Sequence, residues 1–308
     1  MRYNEAYYSF RRRERCAKAA PETQRSCTNG NFGREERILR IAVLIKQVPA
    51  VDTVKIDEKT GTMIRDGVEA ELNPLDLHAV EAAVRLKESR PAGEVEITAV
   101  TMGPPAALKA VRYAIAMGCD KGLLLSDRKF GGADTLATAR TLSRALLAAG
   151  PFDLLFAGER ATDGETGQVG PACAELMGVT VLSYVSAIDE LTDERIRVTR
   201  AVEGGHETVE APLPAIVIPV KEMNIPRLCT LGGKLRAKAA AIPSQTADDL
   251  HMDGSETGLS GSATQVVRVT YPKVTRQGRR INSAEGLESA IGEMMKVLED
   301  KNCLEAAR

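Results

Sequence analysis

Residues 122–171 read GLLLSDRKFGGADTLATARTLSRALLAAGPFDLLFAGERATDGETGQVGP. Gly122–Leu125 is a short apolar strand, Phe130–Asp134 a glycine turn, Thr135–Ala148 a helix and Phe152–Ala157 a second apolar strand. Parallel strands need a crossover long enough to return the chain, and a helix of this length supplies it. The stretch therefore predicts a βαβ unit. Its tail, Gly158 to Pro171, is glycine-rich where a chain leaves the carboxyl end of a parallel strand, the place at which open sheets bind ligands.

The same alternation extends both ways. Upstream, Val95–Val100 is a strand that ends in Met102-Gly103-Pro104-Pro105, whose prolines preorganise a turn into an Ala-rich helix reaching Met117. Ile41–Lys46 reads as a buried first strand, and Val54–Arg65, with its turn at Glu58–Gly61, as a hairpin excursion. Asn73 and Pro74 mark a helix start, with Leu77, Val80, Val84 and Leu86 at helical spacing. Downstream, Ala172–Met177 is a short helix closed by Gly178. Val181–Asp189, Arg195–Glu203, His206–Glu210 and Ala215–Pro219 then form a β-rich end. The predicted class is α/β: a layered α/β/α, mainly parallel sheet with a β-rich end, a C-terminal arm and a helix.

Four segments follow. Residues 1–37 are polar and Arg-rich, and read as a disordered basic extension; the Arg content fits a transit peptide, while the five Glu of residues 1–40 count against one. Residues 38–220 form the nucleotide-binding domain, and 221–242 a Pro/Gly-interrupted basic loop. Residues 243–308 begin as an irregular linker and end in an amphipathic helix, Ala284–Asp300, with Leu287, Ile291, Met294, Met295 and Leu298 on one face. A long arm before such a helix predicts wrapping on a partner subunit.

Composition narrows the function. The 308 residues carry 41 Lys+Arg and 42 Asp+Glu, and with ten of the basic residues inside the first 40 the body is mildly acidic. Nucleic acid is thereby disfavoured as a partner, since binding it needs a basic face. No apolar run approaches the roughly 18 residues of a spanning helix, so a soluble, cytoplasmic protein is expected. Six scattered cysteines without a CxxC pair predict neither disulfides nor a metal site. No GxSxG is present and His78, His206 and His251 are dispersed, which disfavours hydrolase chemistry; His78 is expected on a solvated helix face.

Binding residues should lie in the loops after the strands: Lys46–Pro49, Met102–Pro104, Ser126–Thr135 and Gly158–Pro171. In the last, glycines 158, 164, 167 and 170 admit a ligand to the backbone, and Thr166, Gln168 and a helix N-terminus offer donors for phosphate. It is neither a Walker A loop nor a GxGxxG turn. Asp134 has two readings, a helix cap or a ribose contact, and Asn73 likewise is a cap or an adenine or ribose contact. No side chain is assigned as acid, base or nucleophile; a ligand that carries electrons in its own ring needs only binding and tuning.

In order, IAVLIKQVPAVDTVKID, GVEAELNPLDLHAVEAAVRLK, TAVTMGPP, AIAMGCDKGLLLSD, FGGADTLAT, AGERATDGETGQVGP and PAIVIPVKEMNIPRLCTLGGKLRAKA resemble the β subunit of electron transfer flavoproteins, over about residues 38–300. The resemblance implies a Rossmann-like layered α/β/α parallel sheet of the adenine-nucleotide-binding type and half of an αβ heterodimer: α carries a redox FAD, and β holds AMP in housekeeping members or a second FAD in electron-bifurcating members. The loop Asp163-Gly164-Glu165-Thr166-Gly167-Gln168-Val169 is similar to the bifurcating form, and FGGADTLAT with SGSATQVVRVTYPKVT sides with it. Expected nucleotide contacts by motif are Leu44, Asn73, Pro74, Leu75, Asp76, Met102, Gly158, Ala161, Thr162, Asp163, Gly164, Glu165, Thr166, Gly167, Gln168 and Val169. Gly132, Asp134 and Thr135 join them in the bifurcating form.

Departures are Glu159-Arg160, where a basic residue and Gln usually precede Ala, Glu165 and Gly167 in place of Asp and Ala, and Ile218 at a usually small position. Asn224–Lys238 is similar to the family's recognition loop, which implies docking of an acyl-CoA or other flavin dehydrogenase through Leu231, Arg236 and Lys238. If bifurcating, the complex takes electrons from NADH and sends one to ferredoxin or flavodoxin. Two alternatives remain: an AMP-holding, non-bifurcating carrier, and an adenine-nucleotide sensor of the same fold.

Overall fold

A computed structural model describes residues 37–50, 69–267, 286–301 and 303. The chain divides into two compact units, 1–267 and 268–308. The N-terminal extension up to residue 36 and the Val54–Arg65 hairpin lie outside the described residues.

In the first unit the elements run β1 (Leu39–Leu44), β2 (Gln47–Pro49), β3 (Ala70–Leu72), α1 (Pro74–Glu88), β4 (Val95–Met102), α2 (Leu108–Met117), β5 (Lys121–Leu125) and α3 (Thr135–Ala149). They continue with β6 (Leu154–Ala157), α4 (Val169–Met177), β7 (Thr180–Leu191), β8 (Arg195–Val202), β9 (Gly205–Pro212), β10 (Ala215–Pro219), α5 (Leu231–Ala239) and β11 (Ser244–Gln245). Among the described residues nine strands form one sheet, ordered β11-β5-β4-β1-β6-β10-β7-β8-β9. The strands from β11 to β7 pair in parallel, and β8 and β9 extend the sheet antiparallel.

Both faces are covered, which is why the central strands are apolar without alternation. Ile41 and Val43 of β1 pack with Val80 and Val84 of α1 and Val111 and Ile115 of α2. Ala42 and Leu44 of the same strand pack on the opposite face with Leu142 and Leu146 of α3 and Cys173 and Met177 of α4. The layered α/β/α architecture matches the sequence reading.

Two segments read as irregular are ordered. Within 221–242 lies α5, and within 243–262 lies the edge strand β11, followed by Ala247, Leu250 and Met252, which are buried in the second core layer. Glycines 232 and 233 hid α5, because glycine costs about 1 kcal/mol inside a helix. Packing overrides that cost: a Cβ on Gly233 would stand 2.1 Å from the Ala116 carbonyl oxygen of α2. In the second unit α6 (Leu287–Asp300) is helical as predicted, and Leu287, Ile291, Met294 and Met295 are exposed in the chain by itself.

Candidate functional site

The chain steps from β1 outward to β4 and β5, then returns to place β6 on the other side of β1. That reversal between β1 and β6 leaves a crevice at their carboxyl ends, where an open sheet receives a ligand. The loops after β1, β4, β5 and β6 meet there. Gln47 Nε2 donates to the Ala106 carbonyl at 3.1 Å, Lys46 Nζ pairs with Asp163 Oδ1 at 2.6 Å, and Thr135 Oγ1 lies 2.9 Å from Gln168 Oε1.

At the base of the crevice Asp76 is buried. Its Oδ2 accepts from the Lys46 backbone N–H at 2.7 Å and its Oδ1 from Asn73 Nδ2 at 2.7 Å. Asn73 also donates to the Arg160 carbonyl at 2.9 Å, and its Oδ1 accepts from the Thr162 N–H at 3.2 Å. The cap expected of Asn73 is therefore supplied by its backbone carbonyl alone, and its side chain ties α1 to the β6–α4 loop. Burial pushes the Asp76 carboxyl up to about 7, against the opposing hydrogen bonds from Asn73 and Lys46 and the Lys46 charge. Gly158 sits against this group: a Cβ there would fall 1.9 Å from Asp76 Oδ1.

Beyond Gly158 the loop turns on Ala161, whose carbonyl accepts from the Gly164 and Glu165 N–H groups at 3.2 and 2.7 Å. Glu165 and Gly167 adopt positive φ of 52° and 61°. The chain then enters α4, whose first turn carries no side-chain cap. Its free N–H groups and dipole favour an anion. A Cβ on Gly170 in that turn would meet Ile218 at 2.8 Å, so glycine lets α4 approach β10 closely. Acidic side chains in the loop are largely neutralised within the protein, Asp163 by Lys46 and Glu159 by Arg160 at 3.0 Å. These residues fit a phosphate-bearing ligand held mainly by backbone donors.

Leu44 and Met102 end β1 and β4 at this crevice, and Pro74 and Leu75 begin α1 beside it. Thr162, Gly164, Thr166 and Gln168 are exposed. Gly132, Asp134 and Thr135 are close by, but the first two are engaged by the chain's own later segment. Asp134 caps α3 through Oδ1 to the Ala137 N–H at 2.9 Å, and its Oδ2 accepts from the Thr264 N–H and hydroxyl at 2.9 and 3.0 Å. Burial opposes ionisation of Asp134, yet these donors prevail and hold its carboxyl below the usual range. A Cβ on Gly132, at φ 73°, would press on Leu259 at 3.2 Å. The cap reading of Asp134 is thus present in the structure.

On the flank of α1 lies a second feature. Leu231 opens α5 at 76% exposure, and Ile225 and Leu228 before it are exposed at 83% and 86%. Arg236 and Lys238 are exposed on the same helix. The loop leading to it is fastened to α1. Buried Asn224 donates to the His78 carbonyl at 3.0 Å and meets His78 Nδ1, so His78 is packed rather than solvated. Arg227 binds Glu81 at 2.8 Å, and the Glu81 carboxylate also accepts from Arg85 at 2.7 Å. Sequence reasoning placed Lys46 in a candidate binding loop and Asn224 and Arg227 in the recognition loop, without foreseeing that they organise the site, and it missed Glu81 altogether.

Residues 60–250 match the electron transfer flavoprotein domain. The chain is 41% identical to the caffeyl-CoA reductase–Etf complex subunit CarD of Acetobacterium woodii over 266 residues, covering 86% of this chain and all of that protein. It is 42% identical to the electron transfer flavoprotein subunit β of Thermoanaerobacterium thermosaccharolyticum, covering 78% and 91% of the two chains. Protein FixA of Bradyrhizobium diazoefficiens is 39% identical, with 81% and 88% covered. With its crevice, its cradle and this match over most of its length, the chain belongs to the electron transfer flavoprotein family, of the β-subunit type.

Proposed function

We propose that this chain is the β subunit of a heterodimeric electron transfer flavoprotein and holds an FAD in the β1/β6 crevice. The observation that carries the reading is the glycine cradle Gly158–Val169 running into the uncapped first turn of α4 at the sheet's switch point. The adenylate and diphosphate would be held by Asn73–Asp76, Met102 and the cradle, with Leu44 beneath. When bound, the flavin would supply the redox chemistry, being able to take up hydride equivalents and release single electrons. The protein's part is to bind, orient and exclude water.

The acceptors would be ferredoxin or flavodoxin on one branch, and the α-subunit FAD and a dehydrogenase on the other. Leu231, ringed by Arg236 and Lys238, would dock an acyl-CoA or other flavin dehydrogenase, burying the leucine while the charges steer approach. The similarity to a subunit of the caffeyl-CoA reductase–Etf complex supports this assignment. α6, whose apolar face is exposed in the chain alone, would pack on the α subunit. The test is an anaerobic NADH titration of the purified heterodimer, followed through flavin absorbance. Bleaching of flavin by NADH alone supports the reading, and no bleaching refutes the NADH branch.

One observation favours the simpler carrier, in which β holds AMP. Both carboxylate oxygens of Asp134 are engaged within the chain, which removes a contact that the larger nucleotide would use. In that case the subunit docks dehydrogenases and its nucleotide is structural.

A further inference from the structure

Asp76 reaches three pieces of the crevice at once: its own helix α1, the end of β1 through the Lys46 N–H, and the β6–α4 loop through Asn73. The polarity of this cluster is dictated. The Arg160 carbonyl accepts and the Thr162 N–H donates, so Asn73 is held with Nδ2 toward Arg160 and Oδ1 toward Thr162. The same Nδ2 group then requires Asp76 Oδ1 to accept. On the other side the Lys46 N–H requires Oδ2 to accept. Only the ionised carboxylate accepts at both oxygens with no proton left to place, and the absence of a Cβ on Gly158 is what leaves Oδ1 its place.

We propose that Asp76 is a positioning residue of the cradle: acting through Asn73 and the Lys46 backbone, its carboxylate holds residues 158–162 in the conformation that receives the nucleotide's adenylate portion. This rests on the nucleotide reading above. The role is exercised through Asn73 and the Lys46 N–H, apart from any contact that residues 73–76 make with the ligand.

A pH dependence follows. Burial raises this carboxyl to about 7, and the charged groups whose fields reach it are Lys46 from the end of β1 and Asp163 from the β6–α4 loop. Protonation turns one oxygen into a donor facing a donor, so the clamp slackens as pH falls through about 7. If only the ionised form positions the cradle, apparent affinity follows the ionised fraction, about tenfold weaker at pH 6 than at pH 8. Global stability runs the other way. A carboxyl raised on folding stabilises the fold most below its unfolded value, and that contribution is lost as pH rises through about 7. A residue with a merely structural role would make affinity and stability move together.

The experiment is calorimetric titration of the purified, nucleotide-stripped heterodimer with AMP, which carries the portion common to AMP and FAD, at pH 6 and pH 8. Wild type is compared with Asp76→Asn. The phosphate's own titration near pH 6 is common to both proteins and cancels in the comparison. The expected result is a roughly tenfold pH step in wild type beyond that of D76N, and weak binding by D76N at both pH values. The same step in both proteins overturns the proposal and leaves the nucleotide reading standing. No AMP binding by wild type at either pH overturns both. Asn73→Ala covers the case in which D76N does not fold. It removes the link from the carboxylate to Arg160 and Thr162, so the pH step should shrink to that of the phosphate alone; a step as large as in wild type overturns the proposal.

Discussion

Glu81, buried in the middle of α1, holds Arg227 of the α5 approach through a 2.8 Å contact to Nε, and its Oε2 also accepts from the Arg227 backbone N–H at 3.1 Å. The same helix begins with Asp76 under the cradle. One helix thus carries the proposed nucleotide crevice at its N-terminus and anchors the proposed docking face along its side.

Glu81→Gln should loosen that anchor. Burial opposes ionisation of Glu81, but Arg227 and Arg85 outweigh it and hold the carboxyl below its usual range. Replacing a charged partner in such a hydrogen-bonded pair costs about 2 kcal/mol. The contribution is fully present above the unfolded glutamate value and is lost as pH falls through the depressed one. Thermal melts from pH 7 down to pH 3 should therefore show a smaller acid loss for Glu81→Gln than for wild type, from a lower starting point. Equal acid slopes would contradict the assignment.

Gly158→Ala should empty the crevice. Its Cβ would overlap Asp76 Oδ1, and neither group can retreat without breaking the Lys46 and Asn73 bonds. Overpacking of this kind costs about 1–3 kcal/mol. Nucleotide content per purified complex should fall at least several-fold while the circular dichroism stays native. Full retention would show that the crevice tolerates the methyl group.

Leu231→Ala should separate docking from binding. The side chain is exposed and its loss should leave nucleotide content unchanged. A buried apolar anchor at an interface is worth about 2 kcal/mol, so the second-order rate of electron transfer with a partner dehydrogenase should drop about thirtyfold. Arg236→Gln with Lys238→Gln should instead weaken the salt dependence of that rate. An unchanged rate in Leu231→Ala would place docking elsewhere.

Gly233→Ala tests why α5 is a helix. A methyl group at this position would strike the Ala116 carbonyl oxygen, lifting α5 from α2. Hydrogen exchange in residues 231–239 should accelerate while that of β1, β4 and β6 is unchanged. Unaltered protection in α5 would mean that the helix does not depend on this close approach.

The sheet and its crevice were legible because continuous apolar strands, crossover helices and the glycine cradle are local signals. Ile41–Leu44, Ile97–Val100 and Leu154–Phe156 are buried where periodicity put them. What escaped notice depends on contacts between distant residues. α5 forms against a glycine–carbonyl approach that propensity cannot show, and β11 is only two residues long. Asn73 followed the rule for a cap by position, yet tertiary partners at residues 160 and 162 claimed its side chain. His78, read as solvated from its helix face, is covered by Asn224, more than 140 residues later in the chain.

A nucleotide count decides whether the β1/β6 crevice holds FAD. The chain is co-purified with its α subunit, denatured, and the released FAD and AMP are quantified by chromatography. The account predicts about two FAD per heterodimer and no AMP, one flavin from each subunit. One FAD and one AMP would contradict it and leave a simple carrier with a structural nucleotide.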